Sequence, residues 1–547
     1  MRTMGEGDEA VADVSRGRWE TRAATARHAV TRSTGRPLGN ISCGDLSREN
    51  RRRFPHLTAF VDGATRLSYP LFDERTTRLA NALAAAGLQA GDRILWIGKN
   101  SVRCMELLVA AAKLGAILCP VNWRQSPDEL AFVIDDIDAL LIVCDPRGLE
   151  DTLKAARTSS RATRARWVEA AGEDGEYEAL LASGSAVDLD LVVDAGSPLL
   201  AIYTAAHDGH PSAALLSHSA LLNQAVWLAY MYDLDASDTF LCAGPMFHLG
   251  VYLFILPLFV LGGTTVIATR ADAETICRLT VQERCTVAFP LMQYLIDEIT
   301  ELNRDARYDL SSLRTSSHSP GWDAMVTLDH SRAARGSRWG QSETTGGVTW
   351  YGVGQDSQSR FGRSSPFVLV RVVDETGAEL PVGEVGELVV RGTVVANGYW
   401  NREELNAETF GDGWRHTSDI GKREADGSIT FIGPKGNMIK SGVENIYPVE
   451  VERVLRSHPS VADAAVIGVP DEKWIQSLKA IVVPASGCSP TQDELIVHCK
   501  QKLASYKKPR SVEFTESLPR HDGRIDYDEL NRRHGGGGYP GGSTRSY

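Results

Sequence analysis

Apolar residues along the chain come in two rhythms. Short continuous runs such as Ile94-Leu95-Trp96-Ile97 mark buried strands, and apolar residues three or four apart mark helices. Ala59-Phe60-Val61 and Thr65-Arg66-Leu67-Ser68-Tyr69 flank Asp62-Gly63 and predict a hairpin. Residues 74–86 carry Leu79 and Leu83 at helical spacing and close at Gly87, and residues 104–114 read as a helix stopped by Gly115. A strand is expected over 139–143, and the alternation continues through 199–203, 215–228 and 288–299. Strands alternating with helices predict parallel, doubly wound sheets.

The rhythm then changes. Residues 368–373 and 387–390 lie among glycines, as in a small antiparallel barrel. Beyond Gly433 come a helix (449–455), two strands (464–469 and 479–483) and a helix (494–503), the mix of a separate α+β domain. The expected fold class is therefore α/β. A large N-terminal domain of two doubly wound αβ subdomains plus a small β-barrel occupies 36–433, and a smaller mobile α+β domain occupies 434–534. Residues 1–35 lack periodicity and read as a flexible extension; 535–547 are a flexible Gly-rich tail. Gly433-Pro434-Lys435-Gly436 is the expected hinge, because two glycines can absorb large backbone changes.

Composition narrows the function classes. Of 547 residues, 43% are hydrophobic and 23% charged, with a net charge of -12, which argues against nucleic acid or an anionic membrane as partner. The longest apolar stretch, 251–261, is interrupted by Pro257 and ends at Gly262-Gly263, too short to span a bilayer. Nine cysteines without a CxxC pair read as reduced thiols, and the polar N-terminus lacks the apolar core of a secretory signal; both point to the cytoplasm.

The stretch IYTAAHDGHPSAALLSH, from Ile202 to His218, has the outline of a phosphate loop: an apolar strand, a glycine and a proline, then an expected helix. It holds one glycine, Gly209, and no lysine.

Motifs in one order carry a resemblance. Lys113-Leu114-Gly115-Ala116 precedes Pro120-Val121-Asn122; Pro245-Met246-Phe247-His248 fits PxFH; Gly340-Gln341-Ser342-Glu343 is close to GxTE. Gly386-Glu387-Leu388 with Gly398-Tyr399-Trp400 fits GEL…GYW, and Trp414 precedes Thr417-Ser418-Asp419. Ile439-Lys440 leads to Glu444-Asn445-Ile446-Tyr447-Pro448 and Glu450-Val451-Glu452. From Phe54 to Leu530 the chain resembles the adenylate-forming superfamily: acyl-CoA synthetases, peptide-synthetase adenylation domains and luciferases. That resemblance implies two steps. A carboxylate attacks ATP to give an acyl-adenylate and pyrophosphate; the small domain rotates; the thiol of coenzyme A then attacks the adenylate.

The resemblance also assigns roles. Asp419, after Thr417, accepts the ribose hydroxyls, Trp339 stacks on adenine beside Gly340 and Ser342, and Glu343 binds the magnesium of ATP. His248, after Phe247, gates the thiol and orients the acyl group. Gly442, Asn445 and Pro448 form the thiol channel after rotation, and Lys440 is a further cofactor-binding residue. Ser317-His318 replaces a small pair of glycines near the acyl and adenine pockets.

Departures concentrate on phosphate handling. Where the family has roughly SGTTGxPKG, residues 205–213 lack the hydroxyls, two glycines and the lysine, and Asp208 places an anion where phosphate should lie. His207 and His210 compensate only if protonated. Near the end Arg524 stands at a lysine position; it keeps the charge but not the compact ammonium geometry. Pro434 replaces a ribose-contacting arginine, with Lys435 beside it as substitute, and Val443 replaces a glycine of the pantetheine tunnel. The resulting expectation is a divergent, non-adenylating acyl-CoA ligase of specialised metabolism, using coenzyme A and the AMP moiety of an acyl-adenylate, with ATP and Mg2+ only if the full reaction is retained. Its substrate is a small carboxylic acid delivered as its adenylate by a separate synthetase; no resident metal, nucleic acid or membrane is expected. A complete ATP-dependent synthetase and a non-catalytic acyl-adenylate binder are the alternatives.

Overall fold

The computed structural model describes residues 30–32, 39–162, 164–172, 174–204, 211–354, 356–442, 444–521 and 524–537. Most of the expected N-terminal extension and tail, the loop at 205–210, Val443 and the side chain of Arg524 lie outside them.

Two parallel sheets organise the large lobe. One has the order Ser212–Ser217, Pro198–Thr204, Ile117–Val121, Arg93–Ile97, Leu141–Cys144, Arg166–Glu169. The other runs Val287–Phe289, Thr239–Cys242, Thr264–Ile267, Thr58–Asp62, Thr65–Ser68. Each is parallel except for one antiparallel hairpin strand at an edge. Strand alternation explains the layering. Ile94 and Trp96 enter the core between the sheets, while Leu95 and Ile97 enter a second core under Pro127–Ile137. Phe60 and Phe240 likewise join the central core, and Val61 and Leu241 join a third under Ala273–Glu283.

Helix Leu249–Leu261 crosses the central core and is buried almost all round. Pro257 sits inside it without ending it, and Gly262, at φ +95°, closes it. Among the described residues no helix is long and apolar enough to cross a membrane. The helix expected from residue 74 starts earlier, at Tyr69, because Ser68 caps it and Pro70 suits its first turn. Lys113, part of the early motif, is buried with its ammonium 2.6 Å from Asp73 and 2.5 Å from Thr77, so that motif contributes packing. All nine cysteines are unpaired.

The loop's surroundings differ from the expectation. Ser212–Ser217 is a strand, paired antiparallel with Pro198–Thr204, and the helix starts only at His218. The two described strands of the stretch thus pair with each other, and a strand, not a helix, occupies 212–217. Backbone bonds to Asn397, Gly398 and Trp400 hold that strand, a long-range partner that outweighs local helical spacing.

The barrel region is a four-stranded antiparallel meander, Val368–Val373, Val385–Gly392, Arg415–Arg423 and Ile429–Pro434. It shares one core with the small sheet that carries Trp339 and Val348. The small lobe has a mainly antiparallel sheet around Val461–Asp471 and Ile475–Pro484, covered by Pro448–Arg456 and Gln492–Lys502.

Charge ties the lobes together. Lys507, buried, donates to Glu129 of the large lobe at 2.8 Å and to Glu450 of its own at 2.6 Å. Burial alone opposes the ammonium, but Tyr506, Glu450 and Glu129 outweigh it and hold Lys507 above the usual lysine range. Lys507→Met leaves two buried carboxylates facing each other, a loss of about 3–5 kcal/mol for a broken buried pair. Scanning calorimetry is expected to show a lower small-lobe transition; an unshifted transition would mean the cluster holds nothing.

Candidate active site

A cavity of about 610 Å³ opens where the lobes meet. The large lobe contributes His248, Ser342 and His318, and the small lobe contributes Lys440 and Gly442. His248 is the N-terminal cap of the buried helix Leu249–Leu261, so a helix packed in the central core fixes its backbone. Its Nε2 lies 3.2 Å from Glu444 Oε1, and Arg124 holds the same oxygen at 2.8 Å. Burial opposes the Glu444 charge, but His248, Arg124 and Lys440 outweigh it and keep the carboxyl below its ordinary range. Lys440 is shifted the other way: burial lowers it, and Glu444 only partly compensates.

A second group forms around Asp419. Trp339 Nε1 and Gln341 Nε2 both donate to Asp419 Oδ2, at 2.8 and 2.9 Å. Oδ1 accepts nothing among the described residues and is the open oxygen. Ser418 stands just before it at φ +57°, which turns the strand where the carboxylate projects. Burial pushes the Asp419 carboxyl up to about 7, against the two hydrogen bonds that lower it. Glu343 is buried as well; Thr204 and Tyr399 donate to its Oε1 at 3.0 and 2.8 Å, and Oε2 accepts nothing among the described residues.

Residues 47–400 match the model of the AMP-binding enzyme family, and residues 450–522 match its C-terminal domain. The chain belongs to the AMP-binding, adenylate-forming enzymes. A feruloyl-CoA synthase from an Amycolatopsis species is 35% identical over 507 residues, spanning 91% of this chain and 100% of that protein. An indoleacetate–CoA ligase from Aromatoleum aromaticum is 32% identical, spanning 85% of this chain and 93% of its own. A fatty acyl-CoA synthetase structure from Mycobacterium tuberculosis is 26% identical with a TM-score of 0.63, over 90% of this chain and 98% of that one. This AMP-binding enzyme is of the acid–thiol ligase kind, the class to which these relatives belong.

Several expected site residues take other positions in the enzyme. Trp339 is only 4% exposed, in the core with Val348 and Phe361; no ring face is free for adenine, and its role is to hold Asp419. Thr417 donates its proton to Leu388 O and accepts from Asp419 N–H, so it shapes the turn. Gly340 is required by the backbone: a Cβ there would meet Gly346 O at 2.0 Å. Ser317 donates to Asp323 at 2.5 Å and does not line the cavity, whereas His318 does. Phe247 packs beside His248, ring centroids 4.6 Å apart. Lys435 is exposed, and its backbone N–H donates to Ser418 O. Asn445 accepts from Lys440 Nζ at 2.9 Å. Arg524 begins a two-residue strand paired with His521, and the small-lobe residues lining the cavity are Lys440 and Gly442.

Sequence reasoning left Gln341, Tyr399, Arg415 and Glu444 without roles, although each lies in or beside a quoted motif. Arg415 donates to the Tyr399 hydroxyl at 2.9 Å, and Tyr399 in turn donates to Glu343. The available signal was a polar side chain fixed within each motif; the partners were not visible. A magnesium ion accompanying ATP fits Glu343, whose second carboxylate oxygen is open. Among the described residues no cluster of three metal-ligating side chains occurs, so the ion would draw the rest of its shell from phosphate and water and offset phosphate charge there.

Glu444→Gln removes the charge that draws His248 across the lobes. Thioester formation from a supplied adenylate is expected to fall about tenfold or more, while adenylate affinity changes little. Stopped-flow thiol consumption measures the first and calorimetry the second; equal losses in both would make Glu444 merely structural.

Proposed function

We propose that this AMP-binding enzyme is an acyl-CoA ligase for an aryl carboxylic acid, and that of its two half-reactions adenylation is the slower. The observation that carries this reading is the His248–Glu444 contact, which docks the hinge-following segment, with Lys440 and Gly442, onto the large-lobe cavity. In the second half-reaction the coenzyme A sulfur, its proton released to solvent, attacks the adenylate carbonyl as thiolate, the C–S bond forms, and the C–O bond to AMP breaks with its electron pair leaving on phosphate. With Nε2 held by Glu444, His248 keeps Nδ1 as its ring nitrogen without a partner among the described residues, available to orient the carbonyl or the thiol. The aryl preference is supported by the cavity wall, where Tyr232, Phe254 and Phe289 stand together, and by relatives named for feruloyl and indoleacetate groups.

In the first half-reaction the acid's carboxylate oxygen attacks the α-phosphorus and pyrophosphate leaves. Glu343, Thr204 and Asp419 are in place for nucleotide and ion, but residues 205–213 supply neither lysine nor hydroxyl donors before Ser212. That composition, with Arg524 at the lysine position, also favours a second reading in which the enzyme performs thioester formation alone and receives its adenylate from a separate synthetase. The test is pyrophosphate release with a panel of aryl acids, ATP, Mg2+ and coenzyme A. Slow, acid-dependent release coupled to thioester is expected. Thioester from adenylate with no release would establish the second reading, and no thioester from either source would leave an adenylate-binding protein.

A further inference from the structure

Among the described residues, one cation lining the cavity has no carboxylate partner. Of the cavity's arginines, Arg314 is committed to Asp238 at 2.7 Å, whereas Arg338 has no carboxylate partner among the described residues. Asp329 also lines the cavity, but its two oxygens accept from the N–H and hydroxyl of Ser331. Arg338 opens the strand Arg338–Gln341; Trp339 turns into the barrel core, and Arg338 turns the other way among aromatic rings. Its guanidinium lies 5.9 Å from the Phe289 ring centre and 5.4 Å from that of Trp350. Nη1 donates to the Tyr232 hydroxyl at 3.0 Å, and that hydroxyl's own proton has no acceptor among the described residues. A guanidinium has five N–H donors, and Tyr232 accepts one of them.

The location is distal. Tyr232 packs edge-on against Phe254 at 4.9 Å, and Phe254 stacks on Phe289 at 4.8 Å. Phe254 lies six residues along the helix that His248 caps, about 9 Å along its axis. The carbonyl end of the acyl group belongs near His248, so a planar ring against Phe254 and Phe289 brings its far edge toward Arg338 and Tyr232.

We propose that Arg338 and Tyr232 are specificity-determining residues that select an aryl acid carrying a hydrogen-bond-accepting oxygen at the ring position farthest from the carboxylate. This rests on the aryl-acid reading above and names the feature that reading leaves open. The oxygen accepts from the guanidinium N–H groups that Tyr232 does not use and from the Tyr232 hydroxyl, and a charge-assisted bond is stronger than a neutral one. Arg338 is exposed at the cavity mouth, so an acid without that oxygen forgoes these bonds and leaves the guanidinium to water.

The test uses two non-hydrolysable acyl-sulfamoyl adenosines, 3-phenylpropenoyl and 3-(4-hydroxyphenyl)propenoyl, titrated calorimetrically into the full-length enzyme. Wild type is expected to prefer the hydroxylated mimic about tenfold or more. Arg338→Met is expected to erase most of that preference, Arg338→Lys to keep an intermediate one, and Tyr232→Phe to reduce it. No preference in wild type, an equal weakening of both mimics in every variant, or no binding of either mimic would overturn the assignment. Because binding is read without turnover, a protein that binds with this preference yet forms no thioester would sink the ligase reading and keep this one.

Discussion

Given a ready-made aryl acyl-adenylate and coenzyme A, the enzyme is expected to form thioester about 100-fold or more faster than from the free acid, ATP and Mg2+. Each half-reaction draws on different groups. Thioester formation needs the adenylate held and the thiol aligned, and His248, Glu444, Lys440 and Gly442 already meet at the cavity. Adenylation needs donors aimed at charge developing on the phosphates. The loss of one such donor typically costs about 3 kcal/mol, or 100- to 1000-fold in rate. Residues 205–213 contain no lysine, and Asp208 adds a like charge. Arg524 keeps the charge at the other position but spreads it over a planar fork. Quenched-flow comparison of the two routes, with product followed by chromatography, measures the ratio. Arg524→Lys is expected to narrow it by speeding the ATP route alone. Equal rates by both routes in wild type would show that phosphate is gripped by groups other than those the sequence suggests.

Asp419→Asn is expected to weaken binding of an acyl-sulfamoyl adenosine about 100-fold, the loss of two hydrogen bonds to a charged acceptor at about 1.5 kcal/mol each. The substitution keeps the volume and an oxygen for Trp339 and Gln341, so the fold should survive. Asp419→Ala leaves the buried Trp339 indole N–H unsatisfied, about 1–3 kcal/mol, while Gln341 keeps its bond to Thr417 O, and should lower stability too. The same carboxyl sets a pH dependence. Its folded value is raised from 3.8 to about 7, so the folded state binds the proton more tightly than the unfolded chain. The ligand-free enzyme should therefore be most stable with respect to this group below pH 4 and lose that contribution as pH rises to about 7. Ribose hydroxyls donate best to the ionised carboxylate, so adenylate affinity should rise with pH across the same upper range and level off above it. In Asp419→Asn that rise should vanish. Its persistence would assign the titration to another group, and full affinity in the variant would remove Asp419 from the ribose site.

The sequence by itself determined the layered α/β plan and the order of the motifs. Period-two alternation at Ile94-Leu95-Trp96-Ile97 sends side chains into two cores, and the glycines Gly115 and Gly262 close the apolar runs before them, because both signals are local. It also exposed the depleted phosphate loop, since missing residue types are visible without coordinates. Only the tertiary structure decided what those residues do. Ser212–Ser217 has helix-compatible spacing and is a strand because Asn397, Gly398 and Trp400 bind its backbone. Trp339 looked like a stacking ring and is a core residue anchoring Asp419, 80 positions away. Glu444 meets His248 across 196 positions, and Arg338 faces the cavity because its neighbour Trp339 fills the barrel core. Periodicity and spacing report an element's own geometry, while a site is made where distant elements pack, and the free energy that selects those partners is spread over contacts that no short window contains.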